Sequence, residues 1–108
     1  MISINAPQIG EEEIEAVVKV LKSGLLTHGL GAGPMVTEFE KDFAKFVKAK
    51  YAIAVNSGTA ALHLAIIGSG IKSGDEVILP SFTFVATAEV IVMAGAKPVF
   101  VDIDPETY

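Results

Sequence analysis

The sequence predicts an α/β protein with a parallel sheet, and three observations support this fold class. Short apolar segments typical of strands alternate with helical segments after residue 50, in the order strand, helix, strand, helix, strand. These strands are continuously apolar, as expected of strands covered on both faces. Helical periodicity fills the first half of the chain. Because 108 residues make one small domain at most, we expect no boundary within residues 1–108.

Two amphipathic helices are predicted before residue 50. The apolar side chains of the first recur at helical spacing behind an acidic start: Ile14, Val17, Val18 and Leu21. Ser23 and Gly24 should end this helix. A loop over residues 29–33 then leads to Pro34, which suits the first turn of the second helix. The apolar side chains of that helix are Val36, Phe39, Phe43 and Phe46.

Three strands and two helices are predicted in the second half. We expect the strands at residues 51–55, 77–79 and 99–103. The helices should cover residues 60–67 and 84–94. Both helices are apolar on most sides, so we expect both to be buried. A turn follows at residues 104–106.

Composition excludes several classes of function. The chain has 8 basic residues, all Lys, against 13 acidic ones, and this net charge of −5 argues against nucleic-acid binding. It has no Cys, which excludes disulfides, thiolate metal sites and Cys nucleophiles, and suits the reducing cytoplasm. No spacing typical of a metal site or of a Ser/His/Asp triad is present. Residues 1–10 do not look like a secretory signal, and no apolar run reaches the ~20 residues of a membrane span.

The strongest local signal for a binding site is the segment NSGTAAL, residues 56–62, between a predicted strand and its helix. Free N–H groups at a helix N-terminus bind phosphate, and ligands of open α/β sheets bind beyond the carboxyl ends of strands. Ser57 or Thr59 could equally do no more than cap the helix. On these residues alone capping is the slightly simpler interpretation, and both stay open.

The other polar and aromatic candidates carry weaker signals. An aromatic residue of PSFTFVAT, residues 80–87, could stack on a flat cofactor ring, but core packing is the commoner fate of Phe. The glycine loop at residues 29–33 lacks the spacing of a dinucleotide-binding loop and follows a helix. His63 lies in an apolar helix, which favours a packed core position, and His28 is compatible with a plain surface residue.

Taken together, seven segments resemble the sugar aminotransferases of the DegT/DnrJ/EryC1/StrS family. They cover almost the whole chain in the family's order: GEEEI (10–14), LKSG (21–24), FE (39–40), NSGTAAL (56–62), GDEV (74–77), PSFTFVAT (80–87) and GAKPVFVDID (95–104). Any one of these motifs is weak evidence, whereas the ordered series is highly specific.

The resemblance implies the N-terminal portion of the large domain of a pyridoxal 5′-phosphate (PLP) enzyme of fold type I, with an incomplete parallel or mixed sheet and helices on both faces. Such enzymes are usually homodimers that move an amino group, typically from glutamate, to a keto group of a nucleotide-linked sugar. The resemblance assigns the cofactor phosphate to Ser57, Gly58, Thr59 and Ala60, and stacking on the cofactor ring to Phe84. Thr27 and His28 would lie near the substrate.

Two essential groups of the family have no counterpart here: the lysine that holds the cofactor and the acid that pairs with its pyridine nitrogen. Both come later in family sequences, and neither Lys72 nor Lys97 occupies the matching motif. The resemblance therefore places no catalytic residue in this chain and implies that these 108 residues alone are inactive.

The family's strand order places the first strand at one edge of the sheet and the next two at the other, so these residues should not form a continuous native sheet.

Two other interpretations of the function remain open. The chain could be a truncated, non-catalytic paralogue that binds a phosphate compound or a family subunit. It could also belong to a PLP-dependent sugar dehydratase, which the segment present here does not distinguish from an aminotransferase.

Overall fold

A computed structural model describes residues 5–28 and 31–108 of the chain. The chain forms two compact units, Met1–Ala54 and Val55–Tyr108. The first unit contains helix α1 (Glu11–Ser23), strands β1 (Thr27–His28) and β2 (Gly31–Ala32), and helix α2 (Pro34–Phe46). The second contains helix α3 (Gly58–Gly68), strand β3 (Glu76–Pro80), helix α4 (Ala86–Met93) and strand β4 (Lys97–Val101).

The two helices of the first unit confirm the predictions made for them. Three acidic residues occupy the first turn of α1, and the Gly10 N–H donates to Glu13 Oε2 at 2.7 Å. This hydrogen bond lowers the pKa of Glu13. At the other end Gly24 adopts φ 67°, a left-handed conformation that favours glycine, and ends α1. Pro34 opens α2, as predicted.

The predicted loop at residues 29–33 is wrong in part. Gly31 and Ala32 form β2, which pairs antiparallel with β1 so that Thr27 lies opposite Ala32 and His28 opposite Gly31. The glycine-rich composition suggested a loop, but pairing satisfies backbone groups whatever the side chains are. Residues 29 and 30 lie outside the described residues.

The sheet of the second unit is a parallel pair, β3 and β4, in the register Glu76 to Lys97 through Pro80 to Val101. Leu79 of β3, Ile91 of α4 and Ala96 form its core. The predicted third strand lies two residues too late in the chain, since β4 starts at Lys97 and ends at Val101. Pairing with β3 sets these limits, which the apolar run alone does not reveal.

Residues 51–55 do not form the predicted first strand. A strand requires hydrogen bonds to a neighbour, and residues 51–55 have no paired strand in the part of the chain that the structure describes. This agrees with the expectation, drawn from the family resemblance, that the three predicted strands do not make one continuous sheet.

The two helices of the second unit exist as predicted, but their burial differs. α4 begins at Ala86 rather than at residue 84, and its buried side chains are Ala86, Val90 and Ile91. α3 has no buried residue, so its predicted burial is wrong. An apolar helix is buried only where other elements cover it, and α3 packs chiefly against α4. No helix in the described residues is long and apolar enough to span a membrane.

Candidate functional site

The N-terminus of α3 is held by a serine cap. Ser57 is extended, and its Oγ accepts a hydrogen bond from the Ala60 N–H at 3.1 Å. Its carbonyl oxygen accepts one from the Ala61 N–H, also at 3.1 Å. The capping interpretation of the NSGTAAL segment is therefore confirmed for Ser57.

Capping leaves other donors of the same turn free. Neither the N–H groups of Gly58 and Thr59 nor the Thr59 hydroxyl has a hydrogen-bond partner within the described residues. These groups lie at the positive end of the α3 dipole. Two N–H donors, a hydroxyl and a helix N-terminus form a donor set that suits phosphate oxygens.

The turn is also accessible to a ligand. Ser57, Gly58 and Thr59 are exposed, and Ala60 is half-buried. A Cβ placed on Gly58 would meet nothing within 4 Å, so a phosphate can approach this backbone closely. Of the four residues that the family resemblance assigns to the cofactor phosphate, Gly58 and Thr59 therefore fit a phosphate group in both chemistry and space, while the Ala60 N–H already donates to Ser57 Oγ.

The PSFTFVAT segment connects β3 to α4 and exposes its aromatic side chains. Phe84 is 75% exposed, and Phe82 is exposed as well, with its ring centroid 6.1 Å from that of Tyr108. The interpretation of both rings as core residues is therefore wrong: α4 buries Ala86 and the residues after it, while the segment before it stays at the surface. The Phe84 ring has no aromatic partner among the described residues, which leaves it open to a flat ligand.

Thr27 and His28, the two residues predicted to lie near the substrate, belong to the first unit. Thr27 and His28 form β1, where the Thr27 side chain is exposed. His63, considered as a core histidine, is half-buried in α3. The described residues contain no group of three or more His, Asp or Glu that could hold a metal ion.

One polar contact was missed by the sequence analysis. Glu40 of α2 accepts a hydrogen bond from the Ala54 N–H at 2.8 Å, through Oε1. The motif FE at residues 39–40 contributed to the family resemblance, but nothing in its spacing indicates a contact 14 positions along the chain.

Comparisons with known proteins show which family the chain resembles. The sequence profile of the DegT/DnrJ/EryC1/StrS aminotransferase family matches residues 7–108. The spore coat polysaccharide biosynthesis protein SpsC of Bacillus subtilis is 54% identical over 101 residues, covering 94% of this chain and 25% of SpsC.

Solved structures show the same fold. Spr1654 from Streptococcus pneumoniae, described as a sugar aminotransferase, matches with a TM-score of 0.87 and 39% identity, covering 98% of this chain and 26% of that one. It has been solved in both its PLP form and its pyridoxamine phosphate (PMP) form. The aminotransferase TlmJ from Streptoalloteichus hindustanus matches with a TM-score of 0.83 and 41% identity, covering 97% of this chain and 28% of TlmJ.

These comparisons confirm the fold class and the cofactor implied by the sequence motifs. The fold is the N-terminal portion of that of PLP-dependent aminotransferases, and the family uses pyridoxal phosphate. The chain spans about a quarter of the length of the relatives that it matches. From the profile match over residues 7–108 and these shared folds, we conclude that the chain belongs to the DegT/DnrJ/EryC1/StrS aminotransferase family.

Proposed function

We propose that this chain forms the N-terminal part of the large domain of a PLP-dependent sugar aminotransferase, in which residues 57–60 bind the cofactor phosphate. The observation that carries this proposal is the set of free donors at the N-terminus of α3. The amino donor in the proposed reaction is an amino acid, glutamate, and the acceptor is a keto group of a nucleotide-linked sugar.

Each residue of the turn has a distinct part in the proposed site. The N–H groups of Gly58 and Thr59 and the Thr59 hydroxyl donate to phosphate oxygens, and the dipole of α3 favours the negative charge. Ser57 keeps the turn in place, since its Oγ already accepts from Ala60. The bound cofactor supplies an electron sink for chemistry at the amine-bearing carbon. Phe84 packs the face of its ring against the cofactor and excludes water from that side.

Further features of the whole protein follow from the same proposal. Residues 1–108 belong to one large domain, and the protein acts as a homodimer in the cytoplasm. Thr27 and His28 of β1 lie toward the substrate. No residue of this chain is catalytic, so these 108 residues alone are inactive.

The phosphate site is tested by comparing two ligands that differ only in the phosphate. Affinities for pyridoxal phosphate and for pyridoxal are measured by equilibrium dialysis with the protein expressed from its own gene. We expect pyridoxal phosphate to bind more tightly. Thr59→Ala should reduce this preference by at least about tenfold, because a hydrogen bond to a charged group contributes roughly 1.5–3 kcal/mol.

Two further variants sharpen this test. Ser57→Asp keeps a good capping residue but places a negative charge beside the phosphate, so it should abolish the preference without unfolding α3. Ser69→Ala, at the other end of α3, is the matched control and should change nothing. Equal binding of the two ligands by the unaltered protein, or an unchanged preference in Thr59→Ala, would contradict the proposed site.

A further inference from the structure

The segment that carries Phe84 is held at both of its ends inside the second unit. Where β3 ends, the Ser81 N–H donates to the carbonyl oxygen of Val101 in β4 at 3.2 Å. Where α4 begins, Ala86 is only 4% exposed and belongs to the buried face of that helix. The backbone of residues 82–85 is therefore held by a strand on one side and by a packed helix on the other.

Thr87, in the first turn of α4, makes two hydrogen bonds around Phe84. Its N–H donates to the carbonyl oxygen of Phe84 at 3.0 Å. Its Oγ1 lies 3.1 Å from the Oγ1 of Thr83, so the two hydroxyls share a hydrogen bond. Helical side chains lean toward the helix N-terminus, which brings the Thr87 hydroxyl over the residues that precede α4. Thr87 thus holds both Phe84 and the residue before it.

These contacts bear on the direction in which the Phe84 ring points. The backbone on either side of Phe84 sets the direction of its Cα–Cβ bond, and Thr87 holds that backbone on both sides. Stacking depends on the distance and angle between two rings, and a side chain that is already oriented loses less entropy when a ligand binds. We propose that Thr83 and Thr87 are positioning residues that orient Phe84 for stacking, acting through the hydrogen bond between their hydroxyls; this inference rests on the proposed function.

Four substitutions separate the hydroxyl bond from the shape of the side chains. Thr87→Val replaces the hydroxyl by a methyl group, and it keeps the β-branch and the N–H that donates to Phe84. Thr87→Ser keeps the hydroxyl and loses the methyl group. Thr83→Val removes the same hydrogen bond from outside the helix, so it tests the bond even if Thr87→Val does not fold. The matched control is Ser69→Ala, which removes a hydroxyl that donates to the Ala65 carbonyl oxygen at the other end of α3.

The measurement separates ring stacking from phosphate binding. Affinities for pyridoxal phosphate and for inorganic phosphate are measured by isothermal titration calorimetry with the protein expressed from its own gene. Inorganic phosphate has no ring, so a loss confined to pyridoxal phosphate reports Phe84. Thr87→Val and Thr83→Val should each weaken pyridoxal phosphate about fivefold, as expected for one neutral hydrogen bond, and keep phosphate within about twofold. Thr87→Ser and Ser69→Ala should keep both affinities within about twofold.

A double-substitution cycle shows whether the two hydroxyls act through Phe84. Phe84→Leu removes the ring and should weaken pyridoxal phosphate about tenfold. When Phe84→Leu is already present, adding Thr83→Val or Thr87→Val should have no further effect, because no ring is left to orient. A full fivefold loss on top of Phe84→Leu would refute the inference.

The remaining outcomes distinguish this inference from the proposed function on which it rests. If Phe84→Leu weakens pyridoxal phosphate and Thr83→Val does not, the role of the hydroxyl pair is refuted and the stacking of Phe84 stands. If Thr83→Val weakens pyridoxal phosphate and inorganic phosphate equally, the pair is merely structural and the inference is refuted too. If Phe84→Leu changes neither affinity, the stacking and the inference fail together, while Thr59→Ala still tests the phosphate site.

Discussion

Two neighbouring residues of β3 provide a direct test of where the second unit is stabilised. Leu79 is 3% exposed and packs with Ile91 and Ala96, whereas Ile78, on the opposite face of the strand, is 70% exposed. Successive side chains of a strand point to opposite faces. The two residues therefore lie in the same strand backbone and differ in how far their side chains are packed. We therefore expect Leu79→Ala and Ile78→Ala to have clearly different effects on the free energy of unfolding.

The magnitudes follow from this packing. Replacing a buried Leu by Ala costs about 2–5 kcal/mol, and the cost is lower where the surroundings can collapse into the cavity. The side chains around the cluster are only partly buried: Ile66, Ile71, Val77 and Ala88. They can move inward, so we expect about 2.5 kcal/mol for Leu79→Ala. For Ile78→Ala, the loss of strand propensity should cost at most about 1 kcal/mol.

The assay is urea unfolding of the 108-residue chain followed by far-ultraviolet circular dichroism, since the chain has no Trp. With a urea dependence of roughly 1 kcal/mol per M, Leu79→Ala should lower the unfolding midpoint by about 2.5 M and Ile78→Ala by at most about 1 M. Equal shifts for the two variants would refute the assignment of the core to the Leu79 face of the sheet.

Two further predictions concern a helix end and a surface ion pair. Gly24→Ala should lower the free energy of unfolding, measured by thermal unfolding, by about 1 kcal/mol, because Gly24 has a φ of 67°. Gly68 has no positive φ, so Gly68→Ala should not be destabilising in this way. Similar losses for the two variants would contradict this reasoning. The Lys97 ammonium lies 2.8 Å from Glu76 Oε1 and lowers the pKa of Glu76 in the folded protein. The ion pair therefore stabilises the fold fully above the pKa that Glu76 has in the unfolded chain. This stabilisation is lost as the pH falls through the lower pKa of Glu76 in the folded protein. Lys97→Met should raise that pKa toward its ordinary value in a nuclear magnetic resonance titration, and an unchanged pKa would show that the pair does not form.

The features predicted correctly from the sequence are those that local residues determine. The acidic first turn and Gly24 locate the two ends of α1, and Pro34 locates the start of α2. Each of these signals acts within about one helical turn, through the dipole, a left-handed φ or a fixed φ. No distant part of the chain is needed to interpret them.

The features that the sequence did not predict depend on distant partners. Residues 51–55 are as apolar as the two strands that form, but β3 and β4 pair with each other and residues 51–55 have no paired strand within the described residues. The apolar side chains of α3 suggest burial, yet only a neighbouring element can cover them. The Glu40 contact with Ala54 was missed for the same reason, because a contact across 14 positions has no local signal.

The N-terminal turn of α3, proposed above to bind phosphate, shows how atomic geometry makes compatible two interpretations that residue types present as alternatives. The sequence posed capping and phosphate binding as alternatives, because Ser57 or Thr59 could serve either. In the structure they use different atoms: the cap takes Ser57 Oγ, while the Gly58 and Thr59 N–H groups donate to no acceptor in the described residues. The Ser57 cap thus fixes the backbone conformation that exposes the free N–H donors. Donors at such a helix N-terminus are already oriented for an anion before one binds. A substitution that keeps the cap and adds charge therefore tests binding apart from folding.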